Sequence, residues 1–399
     1  MSLLNPDGYY FISSHEGPQS SPTCEWRDSA PFIYTQRNWD DAEYYYLEFK
    51  DGEAFRTTQL RHILSGFVKQ LRDPNINVKL VLNNSHEAFL SVVEPIYRYV
   101  ILGHNIPAEK IILMTGSFDM VEEVNRVAEY YGKDAVKVEL VMDFETNARH
   151  AYDVLLEEGN WNPPVTQHDR AREKRFLNFN RRWRLHRPTL VMLMKQYGIL
   201  DKGFVSLAKS DCGNDWNTMS EAILAMHQDF PDITYVAYHM RDELLKMPDL
   251  YLDEGDLVTN RADIVLTPEH NRLYEQSYFS VVSETHFYMS HKGYEPTRFL
   301  SEKAWKPILF KHPFIMVSTP HILPCLRQIG YQTFDGIIDE SYDKIENDGD
   351  RLMAVTQEIH RLSVMSHDEI AKVTAECKEV CDHNFNVLIN KTQFIHKLN

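Results

Sequence analysis

Between Arg170 and Arg187 the sequence sets eight Lys/Arg residues against a single acid, in a chain whose formal net charge is −16. The stretch from Ala171 reads Ala171-Arg172-Glu173-Lys174-Arg175-Phe176-Leu177-Asn178-Phe179-Asn180-Arg181-Arg182-Trp183-Arg184-Leu185-His186-Arg187. Phe176–Asn180 has the composition of a strand, and the Leu/Met-rich run Leu190–Leu200 predicts a helix. Cations between a strand end and a helix start suit phosphate, because backbone N–H groups and the helix dipole add to the side-chain charge. Arginine also offers a planar donor fork that matches phosphate oxygens. Arg181, Arg182 and Arg187 fall on the ligand side of this strand, which ends at Asn180. Arg170–Arg175 precede it and read as solvated linker charge, which is also the alternative for the whole island.

Three further segments carry chemistry. Asn83-Asn84-Ser85-His86-Glu87 follows the apolar run Val78–Leu82, and a carboxylate beside an imidazole there could take a proton from a hydroxyl. The alternative is that Glu87 simply opens the next helix, where the dipole favours an acid. Thr115-Gly116-Ser117 reads as a turn after the run Lys110–Met114, its glycine permitting close backbone approach. In Arg298-Phe299-Leu300-Ser301-Glu302-Lys303-Ala304-Trp305-Lys306-Pro307, Ser301 can cap a helix whose first turn holds Glu302 and Lys303. Lys303 there runs against the dipole preference unless an anion offsets it, and Glu302 could accept hydrogen bonds from a sugar diol. The plain reading is a capping motif with a surface lysine.

The elements that must position these residues alternate along the chain. Tyr44–Phe49, Val78–Leu82, Lys110–Met114 and Val136–Met142 read as strands, with helices over Thr57–Leu71, Phe89–Leu102 and Met120–Tyr131. The polar stretch Glu157–Glu173, containing Asn162-Pro163-Pro164, reads as a linker. Strands are then expected at Phe176–Asn180, Phe204–Ala208, Asp263–Thr267, Phe279–Glu284, Phe314–Ser318 and Gln332–Phe334, and helix from Asp350 nearly to the end. This alternation predicts an α/β fold of two Rossmann-like domains, 1–165 and 170–399, facing a central cleft, with a C-terminal helix. In open sheets of this kind ligands meet the carboxyl ends of the strands.

The bulk properties narrow the function classes. At 399 residues, two domains are the expectation. The acidic balance argues against general nucleic-acid binding, which needs a broad basic surface. Apolar residues never run long enough for a membrane span, and Met1–Gly17 lacks the pattern of a signal peptide. The 5 cysteines are few and scattered, which fits a reducing, cytoplasmic setting; Cys377 and Cys381 read as buried thiols. Neither GxGxxG nor GxxxxGK[ST] occurs, which weakens dinucleotide and P-loop readings. Asp348-Gly349-Asp350 lies in a polar turn rather than after an apolar strand, so it reads as a helix cap and not a metal site.

Phe176–Arg187, taken with Phe299–Leu309 and Pro313–Val317, resembles the donor half of GT-B-fold glycosyltransferases, in particular the fucosyltransferase-like and exostosin-like group that includes proteins of large DNA viruses and phages. The resemblance covers roughly Phe176–Phe334 and is only topological over the first half. It implies a nucleotide-sugar donor, UDP- or GDP-linked, as co-substrate with no cofactor, a glycan acceptor, and a 1–165 domain on the acceptor side. By the same likeness Arg181, Arg182 and Arg187 would meet the diphosphate, Asn180 and Ser301 would line the donor site, and Glu302 with Lys303 would meet the nucleoside side. Glu87, or His86, would be the base of an inverting transfer. Fixed cations and helix N-termini can stabilise the leaving nucleotide in place of a metal. The competing class is a non-catalytic nucleotide- or sugar-binding module with the same kind of cleft.

Overall fold

The computed structural model describes residues 2–4, 10–12, 33–34, 44–48, 65–86, 88–157, 159, 171–180, 184–207, 216–246, 250, 252, 268–289, 297–391 and 395–396. By its contacts the chain divides into two units. Unit 1 is Met1–Asp143 with Thr392–Asn399, and unit 2 is Phe144–Lys391. The division lies upstream of the 157–173 stretch expected as a linker. Its cause is a helix, Asp143–Glu157, that the sequence reading did not place; it buries Phe144, Glu145 and Ala148. Glu145 accepts from Lys391 Nζ and Tyr331 Oη, both far along unit 2, and so ties the start of this helix to that unit.

In unit 1, β1 (Ser2–Leu4) and β2 (Tyr10–Ile12) form an antiparallel pair. The main sheet contains β3 (Ile33–Tyr34), β4 (Tyr44–Glu48), β5 (Lys79–Asn84), β6 (Ile111–Thr115), β7 (Lys137–Val141) and, from the chain's end, β12 (Ile395–His396). Its order is β12-β7-β6-β5-β4-β3, with β4 to β7 parallel and both outer strands antiparallel. Every residue of β6 is buried, as expected for a strand covered on both faces. Leu80, Leu82, Ile111 and Leu113 pack against Ile96, Tyr97, Val100 and Val124 from the helices over 90–103 and Met120–Tyr131. The second of these helices ends where Gly132 takes a left-handed conformation, the usual role of a glycine just past a helix. The expected helix Thr57–Leu71 is described from Ser65 to Arg72.

In unit 2, β8 (Lys174–Asn178), β9 (Gly203–Val205), β10 (Ser277–Ser283) and β11 (Phe314–Val317) form an all-parallel sheet in the order β11-β10-β8-β9. Gly203 pairs with Phe176, and a Cβ at Gly203 would collide with the Phe176 ring; glycine is what lets β9 close on β8. The expected strand Asp263–Thr267 lies outside the described residues. Gln332–Phe334 is not a strand. Asn384 bonds both the N–H and the C=O of Gln332, and Glu340 accepts from Phe334 N, so side chains satisfy this backbone in place of a neighbouring strand. The C-terminal region forms three helices, Asp348–Val364, His367–Glu376 and Lys378–Asn390. Among the described residues no helix is long and apolar enough to cross a membrane.

Candidate functional site

Strand order alone singles out one place. In unit 1 the parallel strands follow one another in a single direction. In unit 2 the chain passes from β8 outward to β9, then returns to β8's other side for β10 and β11. The direction therefore reverses between β8 and β10, and in open α/β sheets a reversal of this kind, at the carboxyl ends of the strands, is where ligands bind.

Asn178 ends β8. Its Nδ2 donates to Val281 O at 2.7 Å and to Ser283 Oγ at 3.1 Å, crossing the reversal to β10. Asn180 follows, fully buried, its backbone N–H donated to Ser206 Oγ at 3.0 Å and its Nδ2 to Asn178 Oδ1. Glu284, directly after β10, is also fully buried and gathers the rest. Its carbonyl lies 3.0 Å from His186 Nε2 and accepts from Arg187 Nη2 at 3.0 Å. Its carboxylate accepts from Ser301 N at 3.1 Å, Ser301 Oγ at 2.5 Å and Thr285 N at 3.2 Å. Burial pushes the Glu284 carboxyl above its ordinary range, while Lys303 and the Ser301 hydroxyl pull it down. Burial, with the Arg187 charge beside it, holds His186 well below the usual histidine value. A neutral His186 donates from Nε2 to the Glu284 carbonyl.

Ser301 caps the helix Glu302–Leu309, accepting from Lys303 N at 3.4 Å, as its type predicts. Trp305, Ile308 and Leu309 bury the helix's apolar face and fix its direction. Lys303 Nζ lies 2.5 Å from Glu302 Oε1 and 3.1 Å from Ser301 Oγ. The anion that offsets Lys303 at a helix N-terminus is thus supplied by its own neighbour. Burial alone would raise Glu302, but Lys303, helped by Lys306, outweighs it and holds the carboxyl down at about 2. Glu302 is therefore an ionised acceptor at any ordinary pH.

The basic island divides by position. Arg181 and Arg182 lie outside the described residues. Arg187 is 1% exposed, and its Nη2 donates to the carbonyls of Ser283 and Glu284, so this guanidinium holds the end of β10 and is turned away from solvent. Arg172 and Arg175 are not solvated linker charge. Arg172 is buried at the opposite end of the sheet, its N–H donated to Tyr278 Oη at 3.1 Å and its guanidinium bonded to Ser277 O over the Tyr278 ring. Arg175 bonds Met365 O at 3.3 Å and lies against His367. These cations pin the strand starts, whereas Asn180 and the Ser301–Lys303 helix start stand at the carboxyl edge.

In unit 1, the corresponding edge brings Asn83, Ser85 and Asp143 together. Ser85 Oγ lies 2.6 Å from Asn83 Oδ1 and 2.5 Å from Asp143 Oδ2, and burial raises the Asp143 carboxyl while Ser85 and His86 lower it. Glu87 lies outside the described residues, and His86 is half-buried in the turn after β5. Thr115 and Ser117 form the expected turn, with Ser117 N donating to Thr115 Oγ1. Asp348-Gly349-Asp350 opens the helix Asp348–Val364, capped by Asn347 and with Asp348 paired to Arg351 at 2.6 Å. Among the described residues no three His, Cys, Asp or Glu side chains are grouped to hold a metal ion.

Sequence reasoning missed Glu284 and Asp143. Each is an acid at the carboxyl end of an expected strand, Phe279–Glu284 and Val136–Met142, and that position was the available signal.

Neither family models nor curated proteins match the sequence. Similar solved structures include a glycosyltransferase from Rickettsia africae, with 11% identity, a TM-score of 0.34, and coverage of 79% of this chain and 69% of that one. The N-terminal domain of a Candida albicans trehalose-6-phosphate phosphatase is similar at 11% identity and a TM-score of 0.35, over 86% of this chain and 76% of that one. At that level of likeness neither neighbour decides an activity.

Proposed function

We propose that the chain is a glycosyltransferase that uses a nucleotide-sugar donor, held in unit 2 at the carboxyl edge of the sheet. The observation that carries this reading is the convergence on the end of β10, beside the strand-order reversal, of three segments far apart in sequence: 178–180 on Val281 and Ser283, and 186–187 and 301–303 on Glu284. A helix N-terminus with a lysine, an ionised acid and buried amides is the equipment that a nucleoside diphosphate requires. Lys303 and the first N–H groups of its helix would meet phosphate, Glu302 would accept from the ribose diol, and Arg181 and Arg182 would complete the diphosphate contacts.

In the transfer, the bond between the anomeric carbon and the phosphate oxygen breaks, and the nucleoside diphosphate leaves with the electron pair. The acceptor hydroxyl bonds to the anomeric carbon and gives up its proton. Lys303 and the helix N-terminus act where charge builds on the leaving group, the kind of fixed stabilisation that lowers such barriers. We assign the proton to Glu87, or His86, with inversion and without a metal. Thermal-shift and calorimetric titration of UDP, GDP and their sugar conjugates test the donor assignment, since specific binding stabilises the fold. Absence of binding by every nucleotide tried would overturn it.

A non-catalytic nucleotide- or sugar-binding module is the second reading. It draws on the engagement of both acids at the unit 2 edge, Glu284 with Ser301 and Glu302 with Lys303. Donor binding without sugar release or transfer would favour it.

A further inference from the structure

The amides between β8 and β10 form a chain whose polarity is fixed by one backbone group. Val281 C=O can only accept, so the Asn178 amide must face it with nitrogen, at 2.7 Å. The same nitrogen donates to Ser283 Oγ at 3.1 Å. Asn178 Oδ1 therefore faces Asn180, and Asn180 must present its own nitrogen to it. Neither amide can be flipped without setting carbonyl against carbonyl. With its N–H on Ser206 Oγ, Asn180 has one side-chain atom without a partner among the described residues, Oδ1. The residue is 0% exposed.

A buried carbonyl oxygen left unmatched costs free energy, and native proteins rarely leave one without a purpose. This one lies two residues past the end of β8, at the strand-order reversal where a ligand is expected. It is an acceptor. A phosphate oxygen, itself an acceptor and negatively charged, is the wrong partner for it; a hydroxyl is the right one. Resting on the donor-site reading above, we infer that Asn180 Oδ1 receives a hydroxyl of the nucleotide sugar, on the ribose or on the transferred sugar, and makes no phosphate contact. The site then sorts its ligand by polarity: Lys303 and its helix N-terminus take the anion, and the β8 amides take the neutral, hydroxyl-bearing part.

Calorimetry with pyrophosphate, UDP, GDP and their glucose and fucose conjugates tests this on the wild type and on Asn180→Ala. The expected result is an affinity loss of about five- to tenfold for ligands carrying the hydroxyl, with pyrophosphate unchanged. A loss confined to the sugar conjugates puts the hydroxyl on the sugar; one shared by UDP or GDP puts it on the ribose. Equal loss for pyrophosphate, or no loss for any ligand, overturns the inference, the second result meaning that Oδ1 is served by a bound water. Deoxy analogues titrated into the wild type give the same answer if the variant does not fold: removal of the relevant hydroxyl lowers affinity, and no effect from any removal overturns the inference. Failure of every nucleotide to bind the wild type removes the donor-site reading and this inference together, whereas unchanged binding by Asn180→Ala removes the inference alone.

Discussion

Ser301 gives Glu284 two hydrogen bonds, one from its backbone N–H at 3.1 Å and one from its hydroxyl at 2.5 Å. A buried acid at the end of β10 thereby fixes the cap of the helix Glu302–Leu309, 17 residues along the chain. The same serine oxygen also receives Lys303 N and Nζ, so the position of the lysine depends on the acid.

Removal of that acid strands its donors. Glu284→Ala leaves Ser301 N, Ser301 Oγ and Thr285 N without their acceptor in a dry site. The expected loss of stability is about 2–3 kcal/mol, read by urea denaturation. A loss under about 0.5 kcal/mol, the level of an ordinary surface change, would show that Glu284 does not hold the cap.

Lys303→Ala is expected to cost both stability and binding. The lysine is 20% exposed and holds the largely buried Glu302 carboxyl down, so its removal should lower the urea midpoint, and affinity is read where the variant is fully folded. Nucleoside diphosphate affinity should fall roughly ten- to a hundredfold, from charge-assisted bonds worth about 1.5–3 kcal/mol. Unchanged affinity by calorimetry would remove it from the donor site.

The two halves of the arginine question have opposite signatures. Arg187→Ala should lower stability by about 2–4 kcal/mol, because carbonyls at the end of β10 lose a buried donor. Arg181→Ala should change stability by no more than about 0.5 kcal/mol and weaken nucleotide binding. Denaturation and calorimetry on both variants check the contrast, and the reverse pattern would exchange their roles.

His312 predicts a pH dependence. Its Nε2 is 2.8 Å from Ser277 O and its Nδ1 2.8 Å from Ser280 Oγ, so the neutral ring donates from one nitrogen and accepts at the other. Burial, and then the Arg172 charge, lower it from 6.5 to about 3. The unfolded chain takes up this proton below pH 6.5 while the folded one does not, so the stability contribution is lost as pH falls from 6.5 toward 3. Between pH 7 and 5 the wild type should lose about 2 kcal/mol more than His312→Gln. Parallel denaturation curves for the two proteins across that interval would show that the ring is not neutral in the fold.

For the proton acceptor, Glu87→Gln should reduce the rate of transfer at least about a hundredfold and leave donor affinity as it was. Near-normal turnover would return attention to His86 and to the other acid of that edge, Asp143.

Much of the architecture follows from local pattern. β4 to β8, β10 and β11 lie within two residues of where the sequence predicts them; β6 and β11 show the reason most plainly, since a strand covered on both faces must be apolar along its length. The Met120–Tyr131 helix and the Ser301 cap are set within a single turn of chain by residue type. The helix Asp143–Glu157 escaped because its apolar stripe is thin and leads into a polar stretch. Gln332–Phe334 has strand composition, yet distant side chains claim its backbone.

The island that stands out by charge was decided only by the tertiary structure. Composition sees eight cations in one stretch. Chain direction through the sheet sends Arg172 and Arg175 to one end and Asn180 to the other, and burial turns Arg187 inward upon carbonyls of β10. Glu284 could not be read as a hub from sequence, because its partners at 186–187 and 301 meet it only once the strands are ordered. Sequence determines which groups are charged and which segments are apolar, since those are properties of single residues and short spacings. Which charges face a ligand is a property of the strand order, which no short stretch of the chain contains.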